Sequence, residues 1–227
     1  MMEEDVVKQS LFKQKRIIMY RRKYSKTSFI LTLLALCCSI TFAQQYKTIG
    51  AVSGLPVGAR PPMFSATDQH GKTYQLSVEL KKGPVVILFY RGQWCPVCNR
   101  HLSRLQDSLQ QIYDKGAAVI AISPEKQELL EKTAAKTKAT FTLLYDKDYA
   151  ISESFDVLFK PEDKIVAMYD ERLKADLAHA HSDSSARLPV PATFIIDKNG
   201  VLVWRHFNPD YRVRASVHEI LENIPSK

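Results

Sequence analysis

The sequence predicts an α/β domain, because buried strands and helices alternate along the middle of the chain. Residues 84–90 (PVVILFY) and 117–123 (AAVIAIS) are continuous apolar runs, as found in strands that are buried on both faces. Between the two runs, apolar residues recur at helical spacing, at Leu102, Leu105, Leu109 and Ile112. This alternation predicts parallel strands that are joined by right-handed crossovers.

The remaining elements follow from local patterns. Residues 46–60 show no periodicity, and we expect them to lie along the surface. Turn signals and periodicity predict, in chain order, a hairpin of residues 63–67 and 72–76, a surface helix at 124–138, a strand at 140–145, helices at 149–157 and 171–179, a hairpin of 192–196 and 201–207, and a C-terminal helix at 216–224. The sequence pattern of the segment 160–187 does not indicate a role for it.

The positive charge of the chain is concentrated at its N-terminus. Of the formal net charge of +8 over 227 residues, residues 1–43 carry +5 and the other 184 residues carry +3. A nucleic-acid-binding protein needs a basic face on its folded domain, so this distribution argues against a nucleic-acid partner. A body of 184 residues is long enough for one well-cored domain.

The first 43 residues have the parts of a signal peptide. Basic residues precede a 16-residue apolar run, Ser28 to Ala43, and polar residues follow it. This run is shorter than the roughly 20 residues of a membrane span. We therefore expect cleavage near Ala43, membrane contact through this segment only, and a periplasmic or cell-envelope domain of residues 44–227. Met1 and Met19 are both candidate starts of translation.

The expected cleavage leaves Cys95 and Cys98 as the cysteines of the domain. A bridge across so short a loop stabilises a fold little, so chemistry explains this pair better than a structural role. Cys95 stands where a helix begins, and the unpaired N–H groups and the positive end of the helix dipole favour a thiolate there. Pro96 suits the first helical position. We expect Cys95 to be the exposed attacking thiol and Cys98 the shielded partner.

Two alternatives remain open for the cysteine pair. It could be half of a zinc site that His179 and His181 complete, or an inert structural disulfide. The pair opens an amphipathic helix, and the histidine spacing is not that of a zinc finger, so the redox interpretation is preferred and no metal or cofactor is expected. Trp94, beside Cys95, is a candidate substrate contact or a packing residue.

Pro191 directly precedes the predicted strand at 192–196. A cis X-Pro bond is used at such a position, at the end of a loop that is distant in sequence. A trans proline that begins an edge strand is the alternative.

At this point the motifs resemble a known family. The pair Cys95-x-x-Cys98 after a buried strand, and Val-Pro-Ala-Thr at 190–193, resemble the thioredoxin superfamily. The segments 89–99 (FYRGQWCPVCN) and 208–212 (NPDYR) are similar to peroxiredoxin-like proteins of its alkyl hydroperoxide reductase and thiol-specific antioxidant branch. The resemblance extends over residues 57–224.

This resemblance implies a thioredoxin-like fold, with a central mixed sheet flanked by helices and an N-terminal β-hairpin. It implies that Cys95 is the peroxidatic cysteine, that Cys98 resolves it by forming a disulfide, and that Pro191 is a cis-proline beside them. The pattern P-x-x-x-(T/S)-x-x-C of standard peroxiredoxins is altered, with Leu88 at the proline position and Gly92 at the Thr/Ser position. The hydroxyl that orients the peroxide is therefore missing.

The sequence thus predicts an exported thiol-dependent peroxidase that works through a Cys95–Cys98 thiol/disulfide cycle, with a thioredoxin-like protein as the reductant. Arg91, Trp94 and Pro191 are the predicted substrate contacts, and Arg187 is the alternative source of positive charge. A second hypothesis keeps the two cysteines but makes a protein disulfide in the cell envelope the substrate. A third, less favoured, is a copper-binding assembly factor that uses both cysteines and a histidine.

Overall fold

The computed structural model describes residues 45–226, and from Tyr46 onward they belong to one compact unit. Its strands are β1 (Ser65–Asp68), β2 (Thr73–Gln75), β3 (Val85–Phe89), β4 (Ala118–Ser123), β5 (Thr142–Tyr145), β6 (Leu158–Phe159), β7 (Leu188–Pro189), β8 (Thr193–Ile196) and β9 (Leu202–His206). Its α-helices are α1 (Leu76–Glu79), α2 (Pro96–Asp107), α3 (Leu109–Asp114), α4 (Gln127–Thr137), α5 (Ala150–Ser154), α6 (Asp163–Leu173), α7 (Leu177–Ala180) and α8 (Val217–Asn223). Short 3-10 turns occupy Ile49–Ala51 and Lys147–Tyr149.

Seven of the strands form a mixed sheet in the order β2-β1-β5-β4-β3-β8-β9. The central strands β3, β4 and β5 are parallel, as the strand–helix alternation predicts, whereas the strands on either side are antiparallel to them. The two predicted hairpins supply the antiparallel edges. This mixed α/β architecture confirms the predicted fold class.

The sheet has an apolar core on each face. Alternate residues of β3 enter the two cores, because successive side chains of a strand point to opposite faces. Val86 and Leu88 pack on the face that carries both cysteines and α2, and Ile87 packs on the other. All five residues of β3 are buried, so the end of this strand is a rigid support for the segment that follows.

Most of the predicted elements are confirmed with shorter bounds. The C-terminal helix begins where Ser216 forms a capping box with Glu219. The periodicity across residues 102–112 is divided between α2 and α3, because Ser108 leaves the helical region with φ −113° and ψ 10°.

The predicted helix at 171–179 is wrong in its bounds. The chain forms α6 earlier, ends it where Lys174 adopts a left-handed conformation with φ 55°, and adds the single turn α7 after Asp176, with φ 47°. Neither position is a glycine, so the sequence carries no ordinary stop signal there. As a result, α6 carries Tyr169, which contacts Arg91 and Trp94, two residues next to the cysteine pair.

The predicted signal peptide and the boundary at Ala43 lie outside the described residues. Within residues 45–226, no helix is both long and apolar enough to span a membrane.

Candidate active site

The cysteine pair lies where β3 meets α2. Cys95 is the N-cap of α2, Pro96 is its first residue, and the Cys95 Sγ accepts a hydrogen bond of 3.3 Å from the Cys98 N–H. The structure joins Cys95 and Cys98 in a disulfide, with their Cα atoms 5.3 Å apart. A thiolate at Cys95 would therefore meet helix N–H groups and the positive end of the helix dipole.

The predicted exposure of Cys95 is wrong, because both cysteines are 0% exposed. Two guanidinium groups from different parts of the chain lie against the sulfurs. Arg91 Nη2 is 3.2 Å from Cys95 Sγ, and Arg214 Nη2 is 3.4 Å from Cys98 Sγ. Any reactant has to reach the sulfurs past these side chains.

Arg91 is a buried cation, 3% exposed, and no ion pair joins it to a carboxylate within residues 45–226. Its Nη1 donates to the Tyr169 hydroxyl at 2.9 Å, and its guanidinium lies 3.9 Å from the ring centre of Tyr211 and 5.0 Å from that of Trp94. Burial lowers the pKa of Arg91, and the two tyrosines oppose this effect. A thiolate on Cys95 would supply the negative charge that this aromatic cage does not.

Arg187, the alternative source of charge, belongs to another network. It pairs with Asp183 at 3.1 Å, donates to Ser185 and packs over the ring of Tyr149. The structure thus brings Arg91, and not Arg187, to the sulfur of Cys95.

Arg214 is a residue that the sequence did not single out. Its Nε donates to the Tyr211 carbonyl at 2.6 Å, and its contact with Cys98 joins residues 116 positions apart. Burial, and then the charge of Arg91, lower the pKa of Arg214 to about 10. Tyr211 lies in the segment 208–212 that carries the family resemblance, but no local pattern gives Arg214 or Tyr169 a role.

Gly92, at the position of the missing hydroxyl, has no room for a side chain. Its φ is +152°, and a Cβ there would lie 2.5 Å from Glu125 Oε1 and 2.5 Å from Trp94 Nε1. Glu125 and Trp94 therefore occupy the space that a threonine or serine side chain would need. The packing of this loop therefore explains why position 92 is a glycine and not the threonine or serine of the standard pattern.

Glu125 is a fully buried carboxyl beneath the same loop. Its Oε2 accepts a 2.7 Å hydrogen bond from the Gln93 N–H, while its Oε1 has no partner within the described part of the chain. Burial raises the pKa of Glu125 to about 8, although the Gln93 bond and two nearby lysines oppose this shift. A carboxyl two residues after the end of the buried strand β4 was the available signal in the sequence.

We expect Glu125 to make stability fall as pH rises. Between its ordinary value of 4.5 and its folded value of about 8, the native state retains a proton that the unfolded chain has lost. The free energy of unfolding then falls by up to about 1.4 kcal/mol per pH unit in this window. Glu125→Gln stays neutral and keeps an acceptor for Gln93. Urea unfolding should show the variant gaining stability relative to wild type from pH 5 to pH 8; an unchanged difference would refute this assignment.

Two other predicted substrate contacts have distinct surroundings. Trp94 is buried and packs on Tyr169, with ring centres 4.9 Å apart, which favours the packing alternative. Pro191 lines a cavity together with Arg91, but the predicted cis bond is wrong, since no cis peptide bond occurs within residues 45–226. On either side of Pro191, the Val190 N–H donates to the Val157 carbonyl at 2.8 Å and the Ala192 carbonyl accepts from the Phe89 N–H at 2.8 Å.

The histidines of the zinc alternative are engaged elsewhere. His181 is buried and bonds through Nδ1 to the Tyr149 hydroxyl at 3.1 Å, and burial lowers the pKa of His181 to about 4. His179 pairs with Asp176 on the surface. Among residues 45–226, no three His, Cys, Asp or Glu side chains are grouped to hold a metal ion.

Two cavities reach the arginines that contact the disulfide, although neither cysteine is among their lining residues. The apolar cavity, of about 310 Å³, is lined by Ile49, Phe159, Val190 and Pro191 and also by Arg91 and Tyr211. The basic cavity, of about 410 Å³, is lined by Arg100, Arg104, Arg212 and Arg214 together with His101. The apolar cavity thus reaches the arginine beside Cys95, and the basic cavity reaches the arginine beside Cys98.

A buried strand, a short loop and a Cys-x-x-Cys pair that opens a helix define a thiol-disulfide redox protein on a thioredoxin-like fold. The AhpC/TSA family matches residues 57–205, which are more than half of the chain. The chain therefore belongs to the AhpC/TSA family, and it is a peroxiredoxin-like member of it.

Relatives and solved structures agree with this assignment. Peroxiredoxin Q of Sedum lineare, described as chloroplastic, is 29% identical over 169 residues, covering 74% of this chain and 77% of the relative. Peroxiredoxin Bcp of Bacillus subtilis is 27% identical over 172 residues, covering 75% and 95%. The crystal structure of peroxidoxin BcpB from Mycobacterium tuberculosis superposes with a TM-score of 0.57 at 21% identity, covering 74% of this chain and 96% of that one. The last likeness shows the shared fold.

Proposed function

We propose that this protein is a thiol-dependent peroxidase that reduces peroxides through a Cys95–Cys98 cycle. The observation that carries the proposal is the position of Arg91, a buried guanidinium without a carboxylate partner in the described chain, 3.2 Å from Cys95 Sγ. Such a cation stabilises a thiolate and, later, the negative charge that develops on a cleaved peroxide. Arg91 supplies the positive charge that binds the peroxide, and no hydroxyl takes part from position 92, where standard peroxiredoxins have a threonine or serine.

The oxidative half-reaction begins with the Cys95 thiolate. The sulfur attacks one oxygen of the peroxide ROOH, so that an S–O bond forms, the O–O bond breaks, and RO⁻ takes up a proton and leaves as the alcohol ROH. Cys95 is then a sulfenic acid. The Cys98 sulfur attacks it, the S–S bond forms, the S–O bond breaks and water leaves. Two electrons have passed from the thiol pair to the peroxide, and an external thiol donor must return them.

Burial of the sulfurs favours a small oxidant over a protein disulfide. A client disulfide would have to bring its own sulfur into contact with Cys95, which is 0% exposed. A small hydroperoxide fits the apolar cavity, whose wall includes Pro191 and Arg91; Cys95 does not itself line the cavity, but Arg91 contacts its sulfur. The next experiment must therefore distinguish peroxide reduction from protein-disulfide reduction by the same two cysteines.

Reduced protein mixed with hydrogen peroxide or cumene hydroperoxide in a stopped-flow instrument should lose its Cys95 thiol at least about 100 times faster than free cysteine does. Peptide mass spectrometry of the quenched samples assigns the oxidation to Cys95 and the resulting disulfide to Cys98. Cys95→Ser is the control and should show neither product. A rate no greater than that of free cysteine, together with rapid reduction of insulin disulfides, would replace the peroxidase by a protein-disulfide reductase.

We propose further that residues 1–43 direct export and are removed near Ala43. The basic and apolar pattern of this segment supports the proposal. N-terminal sequencing of the protein from its native cell envelope should begin near Gln44. Retention of the segment in a cytoplasmic product would refute export.

A further inference from the structure

The two sides of the disulfide differ in chemistry. The apolar cavity touches the Cys95 side through Arg91, whereas the basic cavity touches the Cys98 side through Arg214. One short segment lies between them, because Tyr211 lines the apolar cavity while Arg212 lines the basic one. An oxidant and a reductant could therefore use separate entrances.

The basic cavity gathers positive charge without balancing it. No Asp or Glu is among its lining residues. Arg212 pairs with Asp210 at 2.8 Å, but Arg100, Arg104 and Arg214 make no ion pair within the described part of the chain. The nearby carboxylate of Glu219 is held by Ser216 in the helix cap. His101 adds no charge, since burial and the charge of Arg214 lower the pKa of His101 to about 4.

The positive charges of the basic cavity repel one another, and a bound anion would reduce this repulsion. Arg100 and Arg104 stand four residues apart on α2, so their like charges are neighbours on the helix surface and repel each other. Arg214 is partly buried, lines the same cavity and is also close to the charge of Arg91. Guanidinium groups bind carboxylates through paired N–H donors, which suits them to a ligand with one or more carboxylates.

We propose that the basic cavity binds the carboxylates of a small thiol reductant and places the thiol at Cys98. This rests on the proposed disulfide cycle and names its electron donor by chemical class. A volume of about 410 Å³ lies in the range of small-molecule sites. Cys98 is 0% exposed and does not itself line the cavity, so the Arg214 side chain has to move aside before a bound thiol can reach its sulfur, whereas a thioredoxin-like protein would have to open the loop around the disulfide.

The reduction consumes two thiols, RSH. The first, as a thiolate, attacks Cys98 Sγ, so that an RS–S bond forms and the Cys95–Cys98 bond breaks with its electron pair on Cys95, beside Arg91. A second thiolate attacks the sulfur of the bound RS group, RSSR leaves, and Cys98 keeps the electron pair. The two protons released by the thiols pass to solvent or to the cysteines. The disulfide has gained two electrons, and two RSH have become RSSR.

The test compares glutathione, which carries two carboxylates, with its diethyl ester, in which both are blocked. Wild-type protein oxidised with diamide is mixed with each thiol, and loss of the Cys95–Cys98 disulfide is followed by peptide mass spectrometry. The ratio of the two rate constants, glutathione over ester, is divided by the same ratio for a small neutral disulfide in solution. We expect a normalised ratio of about 10 at low salt, falling towards 1 as salt screens the charges.

The double variant Arg100→Gln with Arg104→Gln should lower the normalised ratio to about 1. The matched control removes two charges at the C-terminal end of α6, Arg172→Gln with Lys174→Gln, both exposed and outside either cavity, and should keep the ratio of wild type. A wild-type ratio near 1, or an equal fall in the control, would overturn the proposal. The proposal would also be overturned if reduced thioredoxin restored the dithiol at the same rate in wild type and in the Arg100/Arg104 double variant, and glutathione reduced the disulfide no faster than its ester did.

Failure of this proposal can be told apart from failure of the peroxidase function. Diamide forms the disulfide without peroxide, so the thiol ratio is independent of the reaction of Cys95 with peroxide. If the protein is oxidised slowly by peroxide but shows the expected thiol ratio, the peroxidase proposal is refuted and the carboxylate site is retained. If it is oxidised rapidly but shows a ratio near 1, the carboxylate site is refuted and the peroxidase proposal is retained.

Discussion

Arg91→Gln is expected to lower the rate constant for oxidation of Cys95 by hydrogen peroxide by about 10- to 100-fold. The substitution removes a hydrogen bond from a charged donor to the thiolate, an interaction of roughly 1.5–3 kcal/mol. Because Arg91 is buried with no carboxylate partner in residues 45–226, its loss strands no buried carboxylate, and the fold should persist. Stopped-flow oxidation of the reduced variant gives the rate constant, and urea unfolding verifies that the protein is folded.

Arg187→Gln is the matched control for this experiment. Arg187 is also a buried arginine, but it bonds to Asp183 and Ser185 and has no contact with either cysteine. The control should lose stability, because Asp183 loses its partner, without a comparable fall in the peroxide rate. Arg91→Lys keeps the charge but loses the paired donors that reach Tyr169 and Cys95, so its rate should fall between those of wild type and Arg91→Gln. Equal rates for the Arg91 and Arg187 variants would contradict the assignment of Arg91.

Cys98→Ser should abolish catalytic turnover while leaving one oxidation of Cys95 per molecule. With no sulfur one turn along α2, the sulfenic acid at Cys95 cannot condense into a disulfide, and it should accumulate as an adduct of a sulfenic-acid trap such as dimedone. Turnover with glutathione as donor should fall by at least about 100-fold, which corresponds to a barrier higher by about 2.7 kcal/mol.

Cys95→Ser distinguishes the two cysteines, because it should give neither the adduct nor turnover. Trapping is read at the peptide that contains Cys95, so that Cys37 and Cys38 do not confuse the result. Undiminished turnover of Cys98→Ser would show that an external thiol resolves Cys95 directly. In that case the disulfide would not be part of the catalytic cycle.

The sequence predicted the parts of this site that depend on local patterns. The buried strand β3, the start of α2 at Pro96 and the two hairpins all have signals within a few residues of each other. The family resemblance, and not a local pattern, implied a positive charge at the site, with Arg91 and Arg187 as its candidates. The structure then separated the two, because only Arg91 contacts Cys95.

The errors and omissions concern contacts between distant segments. Cys95 was predicted to be exposed, but arginines at positions 91 and 214 cover the pair, and no local pattern links position 214 to Cys98. Tyr169 was missed because it lies on α6, which begins before the predicted helix at 171–179, and because no local pattern links it to Arg91, 78 positions away. Gly92 was recognised as a departure from the family pattern, and its physical reason, the presence of Glu125 beneath it, became visible only in the structure.

The pKa of Cys95 decides whether Arg91 and the start of α2 hold this cysteine as a thiolate. It can be measured from the pH dependence of iodoacetamide alkylation of the reduced protein, read at the Cys95 peptide by mass spectrometry. We predict a pKa of Cys95 below about 7 in wild type and a rise of at least about one pH unit in Arg91→Gln. A pKa of Cys95 at or above its ordinary value of about 8.5 in wild type, unchanged by Arg91→Gln, would contradict the proposed mechanism.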